Sequence, residues 1–411
     1  MKKIAIIGGG ITGCVSAIYY AKLGHKVEIY EKEKNLGGVI NDLESNNTFF
    51  FNGPQYLEDN SWWVKLLKKD KLFNKIFCDF NLNYGSYNNL FGKEISSNNF
   101  AQIKTDIVFK YLNTNKIVSY KDRIECYQKN VSKPILDWSN RYCEASPDLH
   151  PNCSSLVNTG RVFFFKDEKK IFNMKKNEKL ADSLLGLPNK EYLNNKMNVP
   201  INGFKYFFNQ LDKFLKNKEI NINYDSKIKI VFDKKISLSS NTKNINFDYA
   251  IWCANPVPLL KASNIGILDN PVVKVLVVGM QVKLNNEFIE NLYVQVFSKT
   301  NNLFRIYIYK INNKVKLSLE IIAHKENKVS TEINFAIKVL KLYDITIDKY
   351  FDIVEKKEVR HMLYTVNDFK KVEEYEKKQS ALKVISGGWH LIGREKKIEY
   401  IINNLDKNIK S

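Results

Sequence analysis

A chain of 411 residues, 44% hydrophobic and 26% charged, is long enough for two or three domains, or for one with a large insertion, and has the balance of a folded globular protein rather than a disordered or fibrous one. Its apolar runs fall short of the ~20 residues that cross a bilayer as a helix, so a transmembrane segment is excluded and a soluble, cytoplasmic protein is expected. The formal net charge of +20 invites a nucleic-acid reading, but the lysines are spread along the whole chain beside abundant asparagine and isoleucine; they read as solvated surface that helps to draw in an anionic substrate, with no nucleic-acid partner expected.

The chain opens MKKIAIIGGGITGCVSAIYYAKLG. A charged start with an apolar continuation has the look of a signal peptide, but three glycines interrupt it and no small-residue cleavage pattern follows. Lys3 to Ile7 is a short apolar run, Ile11 to Leu23 has helical periodicity ending at Gly24, and Lys26 to Glu31 is a second strand, giving β-α-β in about thirty residues. Asn35 to Leu57 reads as a glycine-punctuated loop with a short strand. From Trp62 to Cys143 helices are predicted, among them SWWVKLLKKDKLF and KTDIVFKYL, with YKDRIECY following.

VPINGFKYFFNQLDKFL, from Val199, is a loop leading into an amphipathic helix, and INYDSKIKIVF and FDYAIWCANP are strand-like. Alternation dominates from Val272 to Ile322, with a hairpin turning at Asn312-Asn313. ALKVISGG is a strand, and the chain closes on a helix whose apolar residues Ile398, Ile401, Ile402, Leu405 and Ile409 share one face. Six cysteines, Cys14, Cys78, Cys126, Cys143, Cys153 and Cys253, form no Cys-x-x-Cys pair, which fits reduced thiols. His25, His150 and His324 have no partners at ligand spacing, and no metal site is expected.

Within the β-α-β unit stands Gly8-x-Gly10-x-x-Gly13. Gly8 permits a tight turn, Gly10 lets backbone approach a pyrophosphate, and Gly13 lets the helix pack on the sheet. Ile11, Thr12 and Gly13 start a helix whose free N–H groups and dipole suit phosphate. Glu31, at the end of the next strand, stands where a carboxylate accepts hydrogen bonds from an adenosine ribose, with Lys32 beside it. This fingerprint does not separate NAD from FAD.

The continuation YEKEKNLGGV, Tyr30 to Val39, resembles the extended motif of flavoproteins in the amine oxidase, protoporphyrinogen oxidase and UDP-galactopyranose mutase group, in which a Gly-Gly pair follows the ribose acid. The resemblance implies FAD, with Gly37, Gly38 and Val39 folded over the pyrophosphate. VPINGFKYFFNQL resembles the group's return to the FAD domain, INYDSKIKIVF its strand beside the adenine, contacted by Ile228, and FDYAIWCANP its strand ending near the cofactor. FFFNGPQYL is similar to the mutase branch's Gly-Pro-His segment at the flavin, with Gly53 and Pro54 matching and Gln55 in place of the histidine. LIGREKKIEYIINNL is similar to its Gly-Arg motif, with Gly393 and Arg394 at the flavin and Tyr400 also matching.

The fold implied is α/β: a Rossmann-like FAD-binding domain from residues 1–57, 199–258 and 384–411, and a discontinuous α+β substrate domain, an antiparallel sheet plus helices, from 58–198 and 259–383. The chain has only six arginines, Arg123, Arg141, Arg161, Arg305, Arg360 and Arg394, each a candidate for a place that needs a planar donor, with a surface or structural role as the alternative; Arg305 and Arg360 are the candidates for an anionic substrate group. Gln55, Tyr364 and His390 complete the catalytic candidates, Tyr364 and Asn367 being similar to a segment lining the mutase site. Trp389 stands where an indole can pack on the flavin. The resemblance implies an oxidoreductase passing hydride from a small substrate to flavin N5; the alternative is a mutase-like enzyme isomerising a nucleotide sugar without net redox change. No second dinucleotide fingerprint is present.

Overall fold

β1 (Lys3–Ile7), α1 (Ile11–Lys22) and β2 (Lys26–Tyr30) form the expected β-α-β unit. The computed structural model describes residues 1–45, 48–96, 118–143, 148–151, 196–232, 236–240, 243–269, 272–287, 290–323, 328–391 and 393–410. KTDIVFKYL, Cys153, Arg161 and His324 lie outside the described residues, as does the side chain of Arg360. β1 is apolar on both faces because helices cover both sides of a parallel sheet. β9 (Asn221–Asn223) lies beyond β2, and β13 (Tyr249–Trp252) and β19 (Val384–Ser386) extend the other edge, in the order β19-β13-β1-β2-β9. All four pairings are parallel.

Two amphipathic helices close on this sheet. In α6 (Gly203–Asn217), Phe204, Phe207, Phe208, Leu211 and Leu215 recur at helical spacing and are buried. In α10 (Arg394–Lys410), Ile398, Ile401 and Leu405 are buried, and the helix end is held to α1 by Tyr20 Oη donating to Ile402 O at 3.4 Å. The C-terminal helix therefore packs on the N-terminal one, which the apolar stripe of Ile398 to Ile409 anticipates.

The second large element is a nine-stranded sheet, in the order β18-β14-β17-β16-β15-β6-β8-β5 with β7 paired to β6. Its strands are β5 (Leu57–Glu58), β6 (Phe77–Asn88), β7 (Ile95–Ser96), β8 (Lys196–Pro200), β14 (Val272–Leu284), β15 (Asn291–Phe297), β16 (Leu303–Ile311), β17 (Lys314–Ile322) and β18 (Ile347–Met362). The β16–β17 hairpin turns at Asn312 and Asn313, both left-handed with φ of 51° and 58°, as a type I′ turn requires.

Two expectations are corrected here. The sheet is mixed rather than antiparallel, because β15 pairs with β6 in parallel. The region from Trp62 to Cys143 is not simply helical: α2 (Trp62–Lys68), α3 (Lys71–Asn74), α4 (Tyr120–Ile124) and α5 (Lys129–Cys143) are helices, but twelve residues between them form β6. Phe80-Asn81-Leu82-Asn83-Tyr84 alternates with the period of a strand, and that signal outweighs the helical character of its neighbours.

The outer face of this sheet packs on α8 (Val329–Lys341), through Ile333, Ala336, Val339 and Leu340 against Val294, Ile306, Ile308, Leu317 and Leu319. The inner face carries the hairpin β3 (Asp42–Ser45) and β4 (Thr48–Phe51). Gly279 admits it: a Cβ there meets Phe50 Cβ at 2.7 Å. Tyr309 Oη accepts from Phe51 N at 2.7 Å, and Ser318 Oγ donates to Phe51 O at 2.7 Å. These bonds join the two sheets.

β10 (Lys229–Phe232), β11 (Ile236–Ser240) and β12 (Lys243–Asn246) form a separate antiparallel sheet, and β10, α7 (Pro256–Ala262) and α9 (Val366–Leu382) pack in one cluster with Ala5, Ile7 and Trp252 of the five-stranded sheet. No helix among the described residues is long and apolar enough to cross a membrane.

Candidate cofactor and substrate site

The glycine turn leaves β1 at the carboxyl ends of the parallel strands, where open α/β sheets bind ligands. Gly8 has φ +108°, and a Cβ there stands 3.1 Å from Ala254 N and 3.2 Å from Cys253 C, so the turn fits closely against the end of β13. A Cβ on Gly13 falls 2.1 Å from Gly8 O; only glycine lets α1 start this close to the strand. Gly9, which the three-glycine pattern passes over, is the residue that holds the acid: its N–H donates to Glu31 Oε2 at 2.6 Å.

Glu31 is only 5% exposed. Its second oxygen accepts from Glu33 N at 2.9 Å, and its backbone bonds Asn223 O and Ser226 N, both at 2.9 Å. The carboxylate is thus built into the turn from three sides, and each oxygen retains a lone pair for a further donor. Lys32 is exposed and lies 3.2 Å from Glu33. Ile228 packs partly buried beside Tyr30 and Trp252, next to this corner.

The Gly-Gly loop folds back on the turn. Gly37 N donates to Gly9 O at 3.0 Å, Gly10 and Gly37 form a β-bridge, and a Cβ on Gly38 lies 3.5 Å from Gly10 Cα. A Cβ on Gly10 meets nothing within 4 Å, so a gap lies open at Gly10, beside the contact between the two loops. α1 has no side-chain cap and no acid in its first turn, leaving the N–H groups of Ile11, Thr12 and Gly13 for an anion in that gap. Val39 at its rim is 70% exposed.

Gln55 holds this rim. Its Nε2 donates to Val39 O at 3.1 Å, while Oε1 is buried without a partner among the described residues. Gly53 and Pro54 make the tight turn that brings it there, with Gln55 N donating to Gly53 O at 2.8 Å. Arg394 Nη1 donates to Tyr56 O at 2.7 Å and lies 3.5 Å from Glu58, so the start of α10 clamps the same segment. Gly393, at φ +98°, faces open space.

Two features near this start carry no signal in the motif. Gly387, at the end of β19, sits against Trp252 O, which a Cβ there meets at 2.8 Å. The half-buried Lys397 loses proton affinity to burial, and the Cys253 thiol beside it is pushed up to about 12 by its own burial. Cys14, Cys78, Cys126 and Cys253 are all free thiols.

A second set of polar groups crosses the inner face of the nine-stranded sheet. In register across β6, β15, β16 and β17 stand Ser86, Gln295, Arg305 and Glu320. Arg305 Nη1 lies 3.1 Å from Glu320 Oε2, with side chains 13% and 1% exposed, and its guanidinium sits 5.7 Å from the Tyr293 ring. Gln295 Oε1 accepts from Tyr293 Oη at 2.6 Å. Gln295 Nε2, Ser86 Oγ and Tyr307 Oη are buried without partners among the described residues. Tyr84 stacks edge-on against Tyr293 and donates to Tyr56 Oη at 3.1 Å. The row therefore connects through Tyr84 and Tyr56 to Arg394. Neither Gln295 nor Ser86 bears a motif; the signal was their place in alternating strands.

Tyr364, Trp389 and His390 gather elsewhere, in the packing around α9. Thr365 and Asp368 form a capping box at the helix start, and Asn367 bonds Asp269 at 2.9 Å. Tyr364 is buried edge-on to Phe369, and the His150 ring stacks on Phe369 with centroids 3.4 Å apart. Burial, with the neighbouring His390, holds His150 down to about 4. His390 Nδ1 lies 3.0 Å from Glu376 Oε1, which also accepts from Ser386 Oγ at 3.3 Å. Trp389 is buried beside Tyr375. Of the remaining arginines, Arg123 donates to Pro151 O at 2.8 Å, and Arg141 binds the carbonyls of Ser298, Lys299 and Asn301, uses that suit a planar guanidinium. Among the described residues no three His, Cys, Asp or Glu side chains gather as metal ligands.

Comparison with known proteins agrees with this geometry. Residues 6–69 match the family described as NAD(P)-binding Rossmann-like domain. The chain is 46% identical over 52 residues to the 4,4'-diapophytoene desaturase (4,4'-diaponeurosporene-forming) of Staphylococcus aureus (strain COL), a match covering 13% of this chain and 10% of the desaturase. The chain thus spans about a tenth of the length of the curated relatives it matches. The solved structure of reduced UDP-galactopyranose mutase is similar with a TM-score of 0.71 at 13% identity, covering 100% of this chain and 94% of the mutase. A redesigned putrescine oxidase is similar with a TM-score of 0.55 at 11% identity, covering 100% and 99%. The fold shared with these two solved structures extends over the whole chain.

Proposed function

We propose that the chain is an FAD-dependent oxidoreductase acting on a small polar substrate. One observation carries the cofactor assignment: the uncapped start of α1 opens on a gap at Gly10, beside the Gly37-Gly38 contact and the buried Glu31. That gap suits a pyrophosphate and Glu31 suits a ribose, so the residues present fit the group. In this reading Gly8, Gly10, Ile11, Thr12 and Gly13 hold the pyrophosphate, and Gly37, Gly38 and Val39 close over it. Glu31 and Lys32 meet the ribose and Ile228 the adenine, while Gly53, Pro54, Gly393 and Arg394 border the flavin. Residues 1–57, 199–258 and 384–411 then form the cofactor domain, and 58–198 with 259–383 the substrate domain. When bound, FAD supplies a hydride acceptor at N5 that no side chain offers.

The protein's own contribution is position and exclusion of water. Gln55 fixes the Val39 carbonyl and keeps an amide oxygen available at the flavin's edge. Arg394 locks the 53–58 segment to α10. The unpartnered Gln295 Nε2 and Ser86 Oγ support a substrate with hydrogen-bonding groups, since buried polar atoms without partners are rare and call for one. Arg305, already balanced by Glu320, orients such a substrate as a donor rather than as a free positive charge, and Arg360 is a further candidate from β18. Tyr364 and His390 act in this reading by fixing α9 against β19.

The visible spectrum and FAD titration of the purified native chain and of Glu31→Ala test this: FAD uptake by the native chain that is lost on Glu31→Ala supports the assignment, and a colourless protein that cannot be reconstituted overturns it. The second reading, a flavin-dependent sugar mutase, draws on the TM-score of 0.71 to the mutase and on Gly393-Arg394. Bleaching by an amine or another donor favours the oxidoreductase. Isomerisation of a nucleotide sugar only after dithionite reduction favours the mutase.

A further inference from the structure

At the end of the nine-stranded sheet lies an open cleft of about 530 Å³ that shares no residue with the glycine turn or the Arg305 row. Its walls come from β14, the β16–β17 turn and β18, and its lining includes Lys283, Lys310, Lys314, Lys349, Asn313 and Phe351. Lys349 stands directly opposite Lys283 across the β14–β18 pair. Gln281 pairs with Lys316 on the other side of β14, so Lys314, two residues on, extends the row to a third strand. Like charges on neighbouring strands repel, and no carboxylate lines the cleft. Among the described residues these lysines make one ion pair, Lys283 with Asp348 at 3.7 Å, both side chains exposed, a geometry of small worth.

The row has a buried neighbour. Lys316, buried next to the row, has its ammonium pushed down to about 8, chiefly by burial, with Lys314 adding to the effect against the pull of Asp42. The cleft also has a wall that is not ionic. Phe351 is 42% exposed and lines it, and Asn313 brings an amide group to the same space, while the lining Gln281 and Asn286 amides donate to Asp352 and to Asp344 O. Converging ammonium groups, the Asn313 amide and an aromatic side wall suit a multiply charged oxyanion carried on an organic group.

We propose that this cleft binds a phosphate-bearing ligand, with the phosphate held by Lys283, Lys314 and Lys349 and the attached group laid on Phe351. The source of the phosphate is either a free polyphosphate compound or the headgroup of an anionic lipid. The test is titration of the full chain with inorganic tripolyphosphate by calorimetry, and sedimentation with phosphatidylcholine vesicles carrying phosphatidic acid. The Lys283→Glu/Lys349→Glu double variant, at two exposed positions, removes the row; Lys213→Glu/Lys218→Glu on exposed α6 changes the net charge equally and leaves the cleft intact. Far-UV circular dichroism checks that both remain folded, and Lys283→Gln/Lys349→Gln replaces the first pair if it does not.

Binding to either probe that weakens at least about tenfold in the cleft variant, and less than about twofold in the α6 variant, supports the site. Tripolyphosphate binding alone identifies a free ligand as the source, and vesicle binding alone identifies a lipid. Equal weakening in both variants makes the binding a property of the overall positive charge and overturns the proposal, as does binding unaffected by the cleft variant or no binding to either probe.

Discussion

The glycine turn from Gly8 to Gly13, at the carboxyl ends of the five-stranded sheet, and the row of Ser86, Gln295, Arg305 and Glu320, on the inner face of the nine-stranded one, are both polar sites, but they are assembled in opposite ways. The turn is one continuous stretch whose ligand-facing groups are backbone amides; its acid arrives a single β-α-β unit later. The row takes one side chain from each of four strands spread from β6 to β17. A backbone site tolerates few substitutions because its atoms cannot be exchanged, whereas a side-chain site can change chemistry at each position while its strands stay in place. The comparison also explains why the cofactor end matches known families at residues 6–69 while the row is found only in three dimensions.

The largest effect expected tests the backbone site. Gly13→Ala places a Cβ 2.1 Å from Gly8 O, and the shift needed to relieve it should cost at least about 3 kcal/mol. Urea unfolding measures the loss, and flavin uptake should disappear with it. If Gly13→Ala unfolds like the native chain, the close approach of α1 to β1 is wrong.

Next comes the buried pair of the row. Arg305→Met removes the guanidinium 3.1 Å from a carboxylate that is 1% exposed, and should cost about 3 kcal/mol. Arg305→Met/Glu320→Leu should recover most of it, since two apolar side chains no longer leave a charge in the interior. A double variant no more stable than the single one assigns the loss to packing instead.

Glu31→Gln keeps one acceptor but offers an amide where Gly9 N or Glu33 N donates. A loss of about 1.5 kcal/mol is expected, seen in flavin titration as roughly tenfold weaker affinity. Unchanged affinity would place the ribose elsewhere.

The smallest effect lies at the seam between the two regions. Asp42, in β3, is pushed up to about 6 by burial, against the hydrogen bonds from Lys205 N and Phe204 N. Because its folded value lies above the usual carboxylate range, the folded chain binds the extra proton. Stability from this group is fully present below about pH 4 and declines as pH rises through about 6. Lys316 behaves in the complementary sense: pushed down to about 8, it makes stability rise with pH between about 8 and its unfolded range. Asp42→Asn should therefore flatten the acid window by about 1–2 kcal/mol relative to the native chain in pH-dependent thermal unfolding. An identical slope in both proteins contradicts the burial of Asp42.

How much was legible in advance follows the same division. The turn could be read because Gly8, Gly10, Gly13 and Glu31 need only local geometry, and the hairpin at Asn312-Asn313 because two left-handed residues in succession favour one turn type. Gly9 could not be ranked above its neighbours until its N–H was seen on Glu31. β6 is only partly legible: Phe80, Leu82 and Tyr84 alternate, but the rest of the strand is sparse in apolar residues and is held by its parallel partner β15, some two hundred positions away. Tyr364 and Asn367 carry a suggestive motif, yet Thr365 and Asp368 between and beside them make a helix cap, a use the motif does not distinguish.

What the sequence alone determined is the cradle of the N-terminal unit, since strand, turn, helix and acid lie within reach of one another and the absence of side chains at the glycines is itself the specification. Only the tertiary structure decided which polar residues meet: that Tyr56 and Tyr84 link Arg394 to Gln295, that Arg305 is balanced by Glu320, and that Lys283, Lys314 and Lys349 align. Side-chain encounters across a sheet depend on register between strands distant in the chain, and register is chosen by the packing of both faces together, which no local pattern records.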